Sequence, residues 1–252
     1  MASTRHTEQV RRVTDALLAL ADSRQAQGMA RFFKTGAGEY GEKDRFLGVT
    51  NPQTLRVVKT VWRETTPEEA AMLVRNEWHE VRLCGLLILV AHYERAARRR
   101  DVVAMAAIFR LYTSLHPFVN NWNLVDLSAY KIVGDYEMRF PKTTLMDAWI
   151  TPSHTLWQQR IAMVATWKHV RHDRFCALER RAQCLLTSRE PLLHKAAGWM
   201  LREMGKRSEV GLRRLEEFLE QHCAGMPSVM LSYAKERMPE ERRLYWRARR
   251  KG

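Results

Sequence analysis

Residues 80–90 read EVRLCGLLILV, residues 158–168 QQRIAMVATWK and residues 194–204 HKAAGWMLREM. Each stretch puts a basic residue (Arg82, Arg160, Lys195) two places ahead of a small one (Cys84, Ala162, Ala197), and then runs on as an apolar helix. The basic positions are 78 and 35 residues apart, close to two units and one unit of a helical repeat of roughly 40 residues. One unit on from Arg82 the count lands at Asn121. Helix pairs repeated at this period bury their apolar faces only by stacking on neighbours, which yields a curved solenoid with a concave face.

The rest of the chain agrees with an all-α reading. Apolar residues recur at helical spacing almost everywhere, and strand-like alternation is nearly absent. We expect helices over Glu8–Ala21, Gln53–Glu64, Pro67–Arg75, His79–Ala97, Asp101–Ser114 and Leu156–Arg171. Further ones are expected over Phe175–Leu185, Pro191–Met204, Ser208–Gln221 and Pro227–Glu236. Pro67, Pro191 and Pro227 stand where a first helical turn tolerates proline. The links are short apart from Lys34–Pro52. The organisation expected is one helical-repeat solenoid domain over 1–239 with a concave face. A basic tail, 240–252, follows; it ends RRLYWRARRKG and is either a frayed end gripping phosphates or a solvated terminus.

Composition narrows the partners. Lys and Arg total 42 against 28 Asp and Glu, for a net charge of +14 and a pI near 10. Such an excess concentrates polyanions, with nucleic acid first and acidic membranes or acidic proteins as alternatives. The four cysteines, Cys84, Cys176, Cys184 and Cys223, form no CxxC and no disulfide framework, so reduced thiols in an intracellular protein are expected. The N-terminus lacks a signal-peptide core, and the longest apolar run, Leu83–Ala91, is less than half a bilayer span. We expect a soluble cytoplasmic protein with no membrane partner.

Several motifs tempt and fail. GAGEYG (Gly36–Gly41) matches GxGxxG, but no strand precedes it and charged EKDRF follows. His169, His172 and Cys176 have the i, i+3, i+7 spacing of metal ligands on one helix. A fourth ligand is missing, and Lys168, Arg171 and Arg174 would repel a cation, so surface histidines among phosphate-binding arginines are the better reading. The chain has neither a P-loop lysine motif nor HExxH, and no Ser/His/Asp order can be picked out. No metal and no cofactor are expected.

The informative stretch is NNWNLVDLS, residues 120–128. On a helix Trp122 and Asp126 are i and i+4 and share a face. An indole beside a carboxylate makes a pocket for a cation, or for an oxocarbenium-like sugar in a transition state. The same residues also suit a bland role, with Asp126 bonded to a neighbouring helix end and Trp122 packing in the core.

NNWNLVDLSA, WQQRIAMVATWK and KAAGWMLREMGK, in that order and spacing, resemble the AlkD-type DNA alkylation repair glycosylases, and QGMARFFK…RFLGVTNP resembles that family's opening. The likeness runs from about Met29 to Lys235. It implies an all-α HEAT-like helical-repeat solenoid that wraps duplex DNA on a concave basic face, and a monofunctional enzyme that releases cationic bases such as 3-methyladenine and 7-methylguanine with the lesion still stacked. It assigns catalytic positions to Trp122, Asp126 and Trp199, with the indoles flanking the deoxyribose and Asp126 facing C1′. Arg160 matches a phosphate-gripping arginine and Arg202 a second DNA contact. Lys168, Arg171, Lys206 and Arg207 complete the candidate DNA-binding set. Where many relatives carry an acid after the first tryptophan this chain has Asn123, and Phe32 and Thr50 replace a tyrosine and a glutamine found in some. The partner expected is double-stranded DNA with cationic alkylated bases, bound by a monomer on the bacterial nucleoid. Two competing readings are a non-catalytic HEAT-like DNA-binding or scaffold protein, and an RNA- or protein-binding solenoid.

Overall fold

A computed structural model of the chain describes residues 2–250, with side chains over 7–250. Among the described residues the ordered elements are all helical; the one β-type contact is an isolated bridge between Arg45 and Trp78. The chain falls into two compact units, Met1–Ser128 and Ala129–Gly252.

In the N-terminal unit the helices are α1 (Ala2–Leu18), α2 (Ser23–Phe32), α3 (Asn51–Val61), α4 (Pro67–Val74), α5 (His79–Arg99), α6 (Val102–Ser114) and α7 (Trp122–Ala129), whose last residue belongs to the second unit. Helix α5 is the axis. It packs against α1, α3, α4 and α6, and its residues 79–90 are all buried. Leu83–Ala91 is therefore apolar because it is core, and among the described residues no helix is long and apolar enough to cross a membrane. Leu86, Ile88 and Leu89 have no exposed surface, each contributing about 1.5–3 kcal/mol of burial.

The C-terminal unit begins with a π-helical turn, Tyr130–Gly134, and continues through α8 (Asp135–Arg139), α9 (Leu145–Trp149), α10 (Leu156–Val170) and α11 (Cys176–Cys184). Helices α12 (Pro191–Arg207), α13 (Glu209–His222), α14 (Ser228–Ala234) and α15 (Glu240–Arg249) complete it. Helix α12 packs against α10, α13 and α14.

The repeated small residues mark close helix approaches, shifted by one position. A Cβ on Gly85, next to Cys84, would lie 2.6 Å from the Ala70 carbonyl oxygen of α4. One on Gly198, next to Ala197, would lie 2.5 Å from the Met230 carbonyl oxygen of α14. In the middle stretch Met163 takes that place, and the glycine comes from the opposing segment instead. There Gly134 approaches the Ala165 carbonyl oxygen of α10. Backbones this close admit only glycine.

Several expectations need correction. Helix α1 ends at Leu18, short of Ala21, because Asp22 accepts from the Gln25 amide and caps a new helix, α2. That helix was not expected from the sequence, and none of its residues is buried. The stretch read as a basic tail folds as α15. Trp246 is buried, and Arg242 and Arg249 pair with Glu216 and Glu220 of α13. Those two arginines therefore face acids of α13. Lys251 and Gly252 lie outside the described residues.

Candidate functional site

The NNWNLVDLS stretch opens α7, and the start of this helix is tied down from three directions. Asn121 is fully buried, and its side-chain amide donates to Asp44 Oδ2 at 2.6 Å. Asp44, in the loop after α2, also receives the guanidinium of Arg82 from α5. His79, at the first turn of α5, stands with Nδ1 3.6 Å from Asp44 Oδ2 and Nε2 3.1 Å from the Asn123 side-chain nitrogen. If that amide donates to Nε2, the ring proton sits on Nδ1 and faces Asp44. Burial alone would raise the Asp44 pKa. The His79 contact, the Arg82 charge and the Asn121 hydrogen bond outweigh it and hold the carboxyl below its ordinary value.

The loop that supplies Asp44 is itself fixed by α5. Glu80 is buried and accepts the backbone N–H groups of Leu47 (2.9 Å), Gly48 (2.9 Å) and Val49 (3.2 Å). Gly48 has φ +85°, and a Cβ there would meet the Asp22 carbonyl oxygen at 2.1 Å, so only glycine closes this turn. Thr50 then caps α3 with a reciprocal Thr50–Gln53 capping box. Asn123 and Thr50, two departures from the family pattern, are thus both in use in this fold, one bridging His79 and Asn51 and the other starting a helix.

Trp122 and Asp126 lie one turn apart on α7, and both are half-buried. The indole stacks on Phe33 (centroids 4.9 Å apart, 24° between planes), Phe33 on Phe46, and Phe46 on His79. Trp122 Nε1 donates to the Tyr40 hydroxyl at 3.2 Å. Tyr40 comes from the GAGEYG loop, which contributes a hydroxyl to this cluster and has no strand before it. Phe32, the third departure, meets the Trp122 ring edge-on at 5.7 Å and is 66% exposed. Tyr112 is fully buried and bonded to Ser128, and burial followed by the Asp126 charge pushes its pKa up. The arrangement is a half-open indole on a rigid aromatic column with a carboxylate one turn on. It can receive a positively charged group.

The remaining candidates belong to the C-terminal unit. Trp199 on α12 is half-buried, its ring centroid 5.4 Å from Trp167, which in turn lies 4.5 Å from Tyr130. Arg160 is 5% exposed and donates to the Leu192 carbonyl at 2.5 Å, in the first turn of α12. Lys168 pairs with Asp135 at 2.9 Å, as does Arg139 at 2.6 Å. Burial opposes ionisation of Asp135, but the two cations win and its pKa is lowered. Arg202 pairs with Glu203 and Glu236, Lys206 with Glu203, and Arg207 with Asp173. Arg171 is exposed and makes no ion pair among the described residues. Exposed pairs contribute about 0–1 kcal/mol, so Lys206 and Arg207 can exchange an internal acid for a phosphate at small cost. Arg160 cannot do so as cheaply.

His169, His172 and Cys176 do not share a helix. The first ends α10, the second lies in a turn and the third starts α11. His169 is also no surface histidine. Burial, then the nearby Arg181 and Arg174 charges, push its pKa down to about 4. Asp44, His79, Glu80 and Tyr40 were missed from sequence. The one signal pointing to them was the pair Asn120–Asn121, polar residues opening an otherwise apolar helix.

No curated protein matches the chain. The model of the DNA alkylation repair enzyme family matches residues 13–238, across both units and nearly the whole sequence, and the protein belongs to that family.

Proposed function

We propose that the protein is a DNA N-glycosylase. It hydrolyses the glycosidic bond of cationic alkylated purines in duplex DNA, 3-methyladenine and 7-methylguanine first among them, and tolerates bulky cationic adducts. Membership of an alkylation repair family supplies the context. The observation that carries the finer reading is Asp126 one turn after a half-open Trp122 on a helix whose start is anchored by buried polar contacts.

The chemistry follows from charge. An alkylated purine leaves as a neutral base, so positive charge moves to the sugar. A carboxylate aimed at that charge stabilises it, and can also position and deprotonate the attacking water. The indole face of Trp122 adds attraction of order 1–2 kcal/mol when desolvated. The pre-set column behind it keeps the ring from having to reorganise. Trp199 takes the second indole's role, and Arg160, Lys168, Arg171, Arg202, Lys206 and Arg207 the phosphate contacts, as the family resemblance implies. Water completes the reaction without a lysine nucleophile, so base is released without strand cleavage. Selectivity comes from the lability of the leaving group, and the base need not be flipped.

The test is free base released from duplex DNA carrying 7-methylguanine, by the protein and by Asp126→Asn. Release by the first and at least a hundredfold less by the second is expected, with equal or tighter binding of undamaged duplex by the variant. Undiminished release by Asp126→Asn would remove the carboxylate from the mechanism. Salt-sensitive binding without release by either protein would leave the scaffold reading.

A further inference from the structure

We propose that the groove between α5 and α6 docks an acidic amphipathic helix from a partner protein. The groove holds about 610 Å³ and belongs wholly to the N-terminal unit. Its floor is made of small and aliphatic side chains, Ala96 from α5 and Ala104, Ala107, Ile108 and Leu111 from α6. Three guanidiniums rim it, Arg95 and Arg99 one turn apart on α5 and Arg110 on α6. None of the three has an ion-pair or hydrogen-bond partner among the described residues. Elsewhere in this unit Arg12, Arg45 and Arg82 each meet a carboxylate. The groove therefore sets three guanidiniums without a carboxylate partner around an apolar floor.

Shape and chemistry together select the occupant. From Ala104 to Ser114 the α6 wall runs about 15 Å, three helical turns. Alanines on both walls allow a third helix to approach closely, as ridges entering a groove. Val103 is 78% exposed and shares the α6 face of Ala107, Arg110 and Ser114, so it extends the apolar stripe by one turn. Val102 beside it is 54% exposed. An amphipathic helix with leucines on one face and glutamates flanking them would cover the floor and pair the arginines, a known mode of helix recognition. A DNA backbone suits the groove less well. Phosphates gain nothing from an alanine floor, and the carboxylates of Glu68 and Asp101 stand among the lining residues.

The test uses the full-length protein and two labelled 16-residue peptides, one with a leucine face flanked by glutamates and a twin with lysines instead. Fluorescence anisotropy should show saturable binding of the glutamate peptide only. Binding should weaken at least tenfold in the Arg95→Glu/Arg110→Glu protein, and equally in Ala107→Trp, which fills the floor without changing charge. Circular dichroism of both variants should match the parent, and base release, measured in parallel, reads the glycosylase reading separately. Absence of saturable binding, equal affinity for the lysine twin, or undiminished binding by both variants overturns the proposal. So does displacement of the peptide by undamaged duplex DNA, which would make the groove a nucleic-acid surface.

Discussion

Asp44 in the N-terminal unit and Glu137 in the C-terminal unit are both closed to solvent and both face a buried arginine, Arg82 and Arg181. Their pKa values move in opposite directions. Asp44 overcomes its burial because its partners are its own: Arg82, the Asn121 amide and the His79 ring all converge on one carboxylate. Glu137 is held by Arg181 through two hydrogen bonds, at 2.7 and 3.1 Å, but burial prevails and its pKa is raised. Arg181 is shared with Asp147 (2.9 Å) and with the Ala162 carbonyl (2.9 Å), and the Asp147 charge adds to the upward push. His169, 3.9 Å away, is kept neutral and brings no second cation. Desolvation is thus overcome by the number of donors dedicated to the carboxylate. The carboxylate held ionised is the one in the network that anchors α7 and its Trp122.

The largest effect that could break this contrast comes from removing each arginine. Arg82→Met strands a carboxylate that the fold holds ionised, and should lower stability by about 3–5 kcal/mol at neutral pH. Arg181→Met should cost less, because Glu137 can take up a proton more readily. A raised carboxyl pKa makes that rescue present at low pH and lost as pH rises through the folded value, so the Arg181 variant should regain stability on acidification. Urea midpoints at several pH values measure both. Equal losses with no pH dependence would sink the account.

A smaller effect sharpens the comparison within the C-terminal unit. His169 has a folded pKa of about 4, below the ordinary value of 6.5. Its contribution is complete above pH 6.5 and is lost as pH falls from there toward 4, on the order of 3 kcal/mol. Asp44 contributes above the ordinary carboxylate value and loses its part only as pH drops below it, so the two windows separate. His169→Gln should flatten the thermal-melting curve between pH 6.5 and 4 and leave the more acidic limb unchanged. A curve that keeps its slope in that range assigns the loss to other groups.

The smallest effect tests where the units are alike. Thr50–Gln53 and Thr155–Gln158 form the same capping box, one in each unit. Thr50→Ala and Thr155→Ala should each cost about 1 kcal/mol. A markedly larger loss for Thr50 alone would show that the loop holding Asp44 depends on that cap as well as on Glu80.

Much of this architecture was legible beforehand for a local reason. Helices such as α4, α5, α6 and α10 are long apolar runs at helical length, with proline at the first turn in the case of α4, so their positions came within a few residues. Helix α2, which buries none of its residues, and the five-residue α9 were not expected. The pairing of Trp122 with Asp126 on one helix was legible because i, i+4 spacing is a property of the helix itself. The purpose of Asn121 was not, since its partner Asp44 lies 77 residues away.

The sequence by itself determined an all-helical chain, a strongly basic one, the repeated stretches around Cys84, Ala162 and Ala197, and the family to which their motifs belong. Only the tertiary structure decided which charges do what. Arg82 and Arg160 look alike as basic residues ahead of small ones, yet Arg82 neutralises a buried aspartate and Arg160 caps a carbonyl at the start of α12. His169 read as a surface histidine and is held neutral beside Glu137. Arg95, Arg99 and Arg110 read as part of a diffuse positive charge and gather around one groove. Helix formation and amphipathicity are set by neighbours three and four residues away. The state of a charged group is set by desolvation and by partners from distant parts of the chain, and those exist only once the helices have packed.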